Sequence, residues 1–263
     1  MSAEPHITLN EVVRRFAGPP PVHALGPIDL EISQGEFFSV VGPSGCGKST
    51  FLDVLCGLAR PTAGKVTFEG KELRGEVPDR IGVVFQEDSS MSWLSVRQNV
   101  AFGLRTSALP KSKADERIDY AIGFMGLAHF ANHYPAQLSG GMRQRVCIAR
   151  TLVLQPRLIL LDEPFGALDQ QTRLLMGDEL LRLWRETGAT VVLITHALDE
   201  AAMLSDRVGV MSARPGRFID LVKTGWPRER DSRIVSDENF GALTSRLWSS
   251  LREESLKTMG RAS

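Results

Sequence analysis

The chain has 263 residues, of which 43% are hydrophobic and 24% charged, a composition typical of a soluble globular protein. Lysine plus arginine and aspartate plus glutamate both total 31, and this balance argues against general affinity for nucleic acid. The three cysteines, Cys46, Cys56 and Cys147, lack metal-ligand spacing, so we expect them to be reduced, as in the cytosol. No apolar run could span a bilayer and residues 1–10 lack a signal-peptide core, so work at a membrane would require another chain to span it.

The N-terminal part predicts two antiparallel strands. Residues 7–13 alternate well enough for an edge strand, and residues 25–32 resume after a proline-rich turn at residues 18–21. Phe16 could stack on a purine ring, although a core aromatic side chain is the simpler interpretation.

A glycine-rich loop then lies between an apolar strand, residues 37–41, and a helical pattern, residues 51–56. Its residues are Gly42, Pro43, Ser44, Gly45, Cys46, Gly47, Lys48, Ser49 and Thr50. This spacing between strand and helix predicts a phosphate-binding loop, in which Lys48 reaches the β- and γ-phosphates and Ser49 ligates Mg²⁺. By itself the loop leaves GTPases, kinases, helicases and transport ATPases open.

The next strands lead to a polar residue at a strand end. Residues 65–70 predict a short strand and turn, and residues 81–85 predict a buried strand that ends at Gln86. Because α/β folds place ligands at the carboxyl ends of strands, Gln86 could ligate Mg²⁺ or orient water. A solvated strand end is the alternative.

Residues 95–154 change character and predict a helical subdomain inserted between strands of the core. Near its end, Ser139 is a natural N-cap for a helix from about residue 141 to 154, and Gly140 and Gly141 follow it. A serine and two glycines at a helix start could bind an anion. An ordinary cap with a flexible turn is the alternative.

Two further buried strands also end in polar residues. Residues 158–161 lead to Asp162, which could hold Mg²⁺ through water, and to Glu163, which could polarise a water molecule. A helix cap or a salt bridge is the alternative for this pair. Residues 190–195 end at His196, which brings a fourth polar group to the same sheet edge.

The C-terminal part predicts a closing hairpin, residues 207–211 and 218–222, and then a polar linker, residues 224–231. Residues 239–256 form an amphipathic pattern with Phe240, Leu243, Leu247 and Leu251 on one stripe. We expect this helix to pack on the core, with partner binding as the alternative.

Taken together, these motifs resemble the ATP-binding cassette (ABC) ATPases over almost the whole chain. The decisive piece is the Leu-Ser-Gly-Gly-Met-Arg-Gln-Arg stretch at residues 138–145, which is similar to that family's signature sequence. Other matches are Gln86 for the Q-loop, Asp162 and Glu163 for Walker B, residues 167–169 for the D-loop, His196 for the switch histidine and Phe16 for the adenine-stacking aromatic. A resemblance to a narrower subfamily, the cassettes of nitrate, sulfonate and taurine importers, is carried by residues 84–88, 93–94 and 99–104.

The resemblance implies an α/β fold: a P-loop NTPase, RecA-like parallel-sheet core with an antiparallel β-layer and an inserted helical subdomain. It implies one ABC ATPase domain, with the core and β-layer at 1–94 and 155–225, the helical subdomain at 95–154, and a C-terminal linker and helix at 226–263. The implied activity is that of the ATP-hydrolysing subunit of an importer of a small solute, peripheral on the cytoplasmic side of the inner membrane.

The resemblance also assigns roles to residues. Glu163, His196 and Gln86 would be catalytic, and Ser49, Gln86 and Asp162 would serve Mg²⁺. ATP would be held by Phe16, residues 42–50, Ser139, Gly140, Gly141 and Asp169. The implied partners are a second copy in a head-to-tail dimer, membrane permease subunits and, indirectly, a solute-binding protein, with no nucleic acid.

Two other functions stay open at this point. A soluble ABC ATPase outside transport is one, although such proteins usually carry paired cassettes or a coiled-coil insertion. A regulatory binding module is the other, which the presence of Glu163 and His196 disfavours.

The sequence departs from the family pattern at two positions. Ser92 stands where the importer subfamily often has proline, and Ala197 stands where aspartate is common.

Overall fold

The computed structural model describes residues 5–86, 89–166, 168–258 and 260. The strands are β1 (Pro5–Phe16), β2 (Val22–Ser33), β3 (Phe37–Val41), β4 (Ala63–Phe68), β5 (Lys71–Glu72), β6 (Ile81–Val84), β7 (Leu158–Asp162), β8 (Thr190–Ile194), β9 (Arg207–Met211) and β10 (Phe218–Lys223). The α-helices are α1 (Lys48–Leu55), α2 (Val96–Phe102), α3 (Lys111–Phe124), α4 (Gly140–Leu152), α5 (Gln170–Thr187), α6 (Leu198–Leu204) and α7 (Glu238–Thr258). Short 3-10 helices cover Ala128–Phe130, Pro135–Gln137 and Ser232–Ser236.

A six-stranded sheet in the order β10-β9-β3-β8-β7-β6 forms the centre of the fold. The neighbouring strands from β9 to β6 are parallel, and β10 pairs antiparallel with β9 at one edge. Every residue of β3 and β8 is buried, as expected of parallel strands covered on both faces. The carboxyl ends of β3, β6, β7 and β8 therefore share one edge of the sheet, which positions the loops that follow them.

A second, four-stranded sheet has the order β2-β1-β4-β5. The predicted antiparallel pair of β1 and β2 is confirmed, but the prediction that β1 is an edge strand is wrong. Ile7 pairs with Ile32 of β2 on one side and with Phe68 of β4 on the other. Alternating hydrophobicity reports which face of a strand is buried and carries no information about its lateral neighbours.

Apolar clusters cover both faces of the parallel sheet. Leu160 packs in a cluster with α1 and the four-stranded sheet, whereas its neighbour Leu161 packs in a cluster with the remaining helices. Successive side chains of a strand point to opposite faces, so an apolar run is the pattern that a strand buried on both faces requires.

The predicted helices between residues 95 and 154 are confirmed as α2, α3 and α4, with no strand in that range. Ser95 starts α2 with a capping box, because its side chain accepts from the backbone N–H of Gln98 at 3.3 Å while Gln98 Oε1 accepts from Ser95 N–H at 2.9 Å. The predicted cap of α4 is confirmed as well, since Ser139 Oγ accepts from Met142 N–H at 3.3 Å.

The C-terminal predictions are confirmed too. The hairpin of β9 and β10 forms as expected, and α7 packs on the core through Phe240, Leu247 and Leu251, which are buried. All three cysteines are free and buried. Within the described ranges, none of the helices combines the length and the apolar character needed to cross a membrane.

The two clusters predict that adjacent leucines on β7 contribute equally. We expect Leu160→Ala and Leu161→Ala each to lower the free energy of unfolding by about 2–5 kcal/mol, because each leaves a cavity in a different cluster. Leu175→Ala on α5, where the side chain is 63% exposed, should change it by less than about 0.5 kcal/mol. Urea titration of the three variants measures this, and a large loss at only one β7 position would contradict a core on both faces.

Candidate functional site

A polar cleft of about 610 Å³ lies at the carboxyl edge of the parallel sheet. It is lined by Ser44, Gly45, Gly47, Lys48, Ser49, Thr50, Gln86, Glu163, His196 and Arg214. All but Arg214 were predicted as site residues from the sequence. The cleft thus brings together the glycine-rich loop after β3 and the polar residues after β6, β7 and β8.

The glycine-rich loop is packed tightly against the second sheet. Gly47 has φ +114°, and a Cβ at this position would lie 2.9 Å from the carbonyl oxygen of Ala24 in β2, so only glycine fits. Lys48 is buried at the start of α1, and its Nζ donates to the carbonyl oxygens of Gly42 at 2.9 Å and Pro43 at 3.2 Å. The lysine ammonium therefore lies within the curve of the loop, which is where a phosphate group would need a positive charge.

Glu163 connects the polar residues of three strand ends. Its Oε2 atom accepts a hydrogen bond from Gln86 Nε2 at 2.8 Å and lies 3.2 Å from His196 Nδ1. Its backbone has φ +46°, and its N–H donates to the carbonyl of Ile194 at 2.8 Å, which fixes the residue to the end of β8. A carboxylate held at this position can accept a proton from a water molecule in the cleft.

Asp162 lies beside the loop serine. Its carboxylate accepts a hydrogen bond from the Ser49 side chain. Burial, reinforced by the nearby charge of Glu163, raises the pKa of Asp162 above its usual value. A nearby cation would oppose this shift.

The donor set here fits Mg²⁺, which prefers oxygen ligands and few carboxylates. Asp162 and Ser49 supply a carboxylate and a hydroxyl side by side. Because Gln86 uses its amide nitrogen to reach Glu163, its amide oxygen is the atom suited to a metal. Among the described residues there is no cluster of three or more histidine, cysteine, aspartate or glutamate side chains that could hold a metal alone.

Glu200 is a site-adjacent residue that the sequence analysis did not single out. It is 7% exposed, and its Oε2 accepts from the Thr195 hydroxyl at 2.7 Å. Thr195 Oγ1 in turn accepts from the N–H of Ala197 at 3.0 Å. These two bonds flank His196 on either side and supply part of the capping that Ala197, which lacks a polar side chain, cannot give to α6. A polar residue one helical turn after a strand-end histidine was the available signal.

The remaining predicted nucleotide residues lie elsewhere on the chain. Ser139 and Gly140 are exposed and do not line the cleft, and the position of a Cβ on Gly141 would lie 3.5 Å from Thr172 of α5. Asp169 caps α5 by accepting from Thr172 N–H at 2.9 Å and from its hydroxyl at 2.6 Å, and these bonds lower the pKa of Asp169. The turn at the start of α4 and the start of α5 are therefore neighbours, and they form a second group apart from the cleft.

Phe16 ends β1 and does not line the cleft either. Its ring is 41% exposed and carries the Arg14 guanidinium 4.6 Å from its centroid. The core-aromatic interpretation is therefore wrong, because the side chain is available to solvent. Its role as a stacking residue stays a prediction. Three residues named in the motif comparison, Glu87, Asp88 and Ala167, lie outside the described residues.

Comparison with known proteins decides the family. The sequence pattern described as "ABC transporter" matches residues 25–166. The chain belongs to this family. It is the ATP-binding subunit of a transporter and an ATPase.

Several curated relatives align with most of this chain. The ABC chain is 47% identical over 238 residues to an uncharacterised ABC transporter ATP-binding protein of Methanocaldococcus jannaschii, covering 90% of this chain and 88% of that one. It is 44% identical to the taurine import ATP-binding protein of Roseobacter denitrificans, covering 81% and 80%. It is 45% identical to the bicarbonate transport ATP-binding protein of Synechococcus elongatus, covering 85% of this chain and 34% of that one.

Solved structures share the fold. A dimeric ATP-binding cassette in a post-hydrolysis state, bound to ADP and phosphate, has a TM-score of 0.73 and 32% identity over 84% of this chain and 100% of that one. A Clostridium perfringens subunit of the cbiONQ ABC transporter complex has a TM-score of 0.77 and 27% identity over 97% and 99%. The predicted P-loop NTPase fold of the ABC ATPases is therefore confirmed.

Burial of Glu200 predicts a pH-dependent stability. Desolvation raises its pKa from 4.5 to about 7. The unfolded chain therefore ionises this group first, and the stability present below pH 4.5 is lost as pH rises to about 7. Glu200→Gln keeps an oxygen acceptor for Thr195 and removes the charge. The free energy of unfolding of this variant, relative to that of the wild type, should rise by about 3 kcal/mol from pH 5 to pH 8.

Urea titrations at several pH values measure this gain. Glu253→Gln, at an exposed position of α7, is the matched control and should show no such pH-dependent difference. Equal stability differences for Glu200→Gln at pH 5 and pH 8 would contradict the assigned cause.

Proposed function

We propose that this chain hydrolyses ATP in a site shared by two copies and thereby drives import of a small solute across the cytoplasmic membrane. The observation that carries the proposal is the division of the predicted nucleotide residues into two groups. One group lines the cleft, while Ser139, Gly140 and Asp169 are exposed elsewhere on the same chain. A head-to-tail pair would place each exposed group opposite the cleft of the other copy.

The first half of the site supplies charge and backbone donors for phosphates. Lys48 lies within the loop curve, and the amides of residues 44–50 lead into α1, whose N-terminus adds its dipole. ATP would thus be bound by its triphosphate. Phe16, exposed at the end of β1, is our candidate for stacking on the adenine.

The second half of the site is a helix start on the partner copy. Ser139 caps α4, a helix of 13 residues, and Gly140 and Gly141 leave the first N–H groups of the helix unobstructed. Such a terminus attracts a negatively charged group. The γ-phosphate would then be enclosed only when two copies meet, so ATP itself would join them. A related cassette is dimeric with ADP and phosphate bound, which supports this arrangement.

Glu163 is the proposed base for the attacking water. Its Oε2 is held between Gln86 and His196, so the carboxylate has a fixed direction when a water molecule approaches. His196 would also contact the γ-phosphate. Ser49, Asp162 and Gln86 would hold Mg²⁺, which supplies charge neutralisation on the phosphate oxygens. Catalysis then consists of positioning and electrostatics.

A surface on the helical segment is our candidate for contact with the membrane subunit. A largely apolar groove of about 530 Å³ lies between the 91–94 loop and α2 and α3, and it includes Trp93, which is 72% exposed. Asn99 is buried and fixes this loop, since its Nδ2 donates to the carbonyls of Met91 and Leu94 and its Oδ1 accepts from Met91 N–H. The occupant we propose is a cytoplasmic helix of the permease.

The same region is tied to both halves of the ATP site. Arg150 of α4 donates to the carbonyl of Ser89 at 2.8 Å and to its hydroxyl at 2.6 Å. Ser89 lies three residues after Gln86, and α4 begins at the Ser139 turn. Movement of α4 toward a partner would therefore also displace the 89–95 loop, which supports coupling between ATP binding and the permease.

The remaining parts of the proposal come from the relatives. We place the chain at the cytoplasmic side of the inner membrane, since a structural neighbour is part of a transporter complex. We propose a small, anion-bearing solute of the nitrate, sulfonate or taurine kind, since named relatives serve taurine import and bicarbonate transport. The solute would be delivered by a binding protein. The domain division proposed from the sequence is kept, with the core at 1–94 and 155–225.

The shared site predicts a trapped dimer. Glu163→Gln should bind ATP and dimerise but turn over about 100-fold or more slowly, because it cannot accept the proton of water. Light scattering with ATP and a phosphate-release assay measure the two properties. Lys48→Ala should lose ATP affinity and stay monomeric, and Glu253→Gln, exposed on α7, should behave as wild type. Wild-type turnover of Glu163→Gln, or a monomer at saturating ATP, would overturn the proposal.

The groove predicts a role for one exposed tryptophan. Trp93→Ala should reduce co-purification of the chain with the integral membrane subunits of its transporter at least fivefold, because an aromatic anchor in an interface is lost. Its ATPase activity in the isolated state should change less than twofold. Trp248→Ala, at a 51% exposed position of α7, is the matched control. Equal co-purification of both variants would exclude the groove as the contact.

A further inference from the structure

The loop between β9 and β10 reaches into the phosphate-binding loop. Arg214, in this loop, donates to the carbonyl oxygen of Gly45 from Nε at 3.2 Å and from Nη2 at 2.9 Å. It also lines the cleft together with Lys48. Arg214 lies between the two strands of the predicted hairpin, and its contact with the phosphate-binding loop is a finding of the structure.

This contact sets the direction of one peptide unit. In a trans peptide, the carbonyl and the following N–H point in opposite directions. The Gly45 carbonyl accepts from Arg214, and the N–H of Cys46, at the other end of the same peptide unit, donates to the carbonyl of Pro43 at 3.3 Å. Gly45 has φ +73°, and glycine populates positive and negative φ about equally, so the residue itself does not fix this conformation. This flexible peptide unit is therefore held at one end by the loop's own turn and at the other end by Arg214.

The backbone that carries Arg214 is fixed on one side by β2. Gly216 N–H donates to the carbonyl of Ala24 at 2.9 Å, and the N–H of Gly26 donates to the carbonyl of Gly216 at 2.9 Å. A Cβ on Gly216 would lie 2.3 Å from the carbonyl oxygen of Cys46. The arginine loop thus touches the phosphate-binding loop through both its backbone and its side chain.

On the other side the backbone is fixed by the C-terminal helix. Glu254 of α7 is 7% exposed, and its Oε2 accepts from the N–H of Ala213 at 2.7 Å. Lys257, one turn later, pairs with Oε1 of the same carboxylate. Ala213 directly precedes Arg214. The position of α7 therefore helps to fix the backbone from which the arginine side chain extends.

We propose that Arg214 is a positioning residue for the phosphate-binding loop and that Glu254 fixes it, so that nucleotide affinity depends on the C-terminal helix. The proposal rests on nucleotide binding in the cleft, as proposed above. It extends the site to α7, which lies far beyond the segment 25–166 that defines the family match. Movement of α7 would thereby change nucleotide affinity without touching the nucleotide.

The test is the affinity of the full-length chain for Mg-ADP, measured by calorimetry so that hydrolysis does not intervene. Arg214→Ala should weaken binding about tenfold, since a charge-assisted hydrogen bond to the loop is lost. Arg214→Lys should recover part of this loss. At saturating ATP, kcat should stay within about twofold of wild type while KM rises, because the loop and not the chemistry is affected.

The role of Glu254 is tested in the same assay. Glu254→Ala and the bulkier Glu254→Met should each weaken binding about three- to tenfold, whereas Glu254→Gln keeps an oxygen acceptor and should lose less. The methionine variant keeps the packing volume if the alanine variant fails to fold. Combining Arg214→Ala with either variant should weaken binding no more than Arg214→Ala alone, because Glu254 acts through Arg214. Arg252→Ala and Glu253→Ala, exposed on the same helix, are the controls.

Each outcome decides a different statement. Wild-type affinity of Arg214→Ala would overturn the proposal, and losses that multiply in the double variant would overturn the dependence on α7. Failure of the wild-type chain itself to bind Mg-ADP, or binding unaffected by Lys48→Ala, would instead contradict the proposed function of the cleft.

Discussion

One carboxylate oxygen joins the ends of three neighbouring strands. Gln86 follows β6, Glu163 follows β7 and His196 follows β8, and these strands lie side by side in parallel. Oε2 of Glu163 meets both of the other side chains. This meeting is possible only because parallel strands bring their carboxyl ends to one edge, and it requires the sheet register to be fixed by packing on both faces. A slip of one residue in β7 would turn Glu163 away from the cleft. The apolar residues of β7 and β8 are therefore a precondition of the chemistry.

The arrangement of the remaining polar residues supports the proposal that two copies share the site. Positive charge and backbone donors of the cleft come from the loop after β3, but the exposed helix start at Ser139 faces elsewhere. A triphosphate carries more negative charge than Lys48 and one helix dipole offset, so a second helix terminus would be a favourable addition. The connection from Arg150 to Ser89 then gives a physical reason why closing two copies around ATP should move the loop that presents Trp93.

The sequence predicted the residues at strand ends well, because apolar runs and turn residues are local signals. It predicted the cap of α4 at Ser139 and the hairpin of β9 and β10 for the same reason. It could not predict that β1 lies between two strands, since the partner β4 is distant in sequence. The alternation of apolar residues along a strand carries no information about its lateral neighbours. Arg214 and Glu254 were missed on similar grounds. Arg214 meets Gly45 across 169 positions and Glu254 meets Ala213 across 41, and no pattern within a single element marks either contact.

The contacts that support the cleft come from the segment after the family match. The phosphate-binding loop, Gln86 and Glu163 all lie within residues 25–166, whereas Glu200, Arg214 and Glu254 lie after them. A carboxylate with low exposure costs free energy unless its oxygens are paired. Glu254 is paired at both oxygens, by Ala213 and Lys257, but Oε1 of Glu200 lacks a hydrogen-bond partner among the described residues. Burial of the Glu200 carboxyl therefore costs free energy of folding beside His196. At the same place, the hydrogen bond from Thr195 to Glu200 keeps the end of β8 in position. This cost therefore falls next to the cleft-lining His196, at the edge of the proposed site.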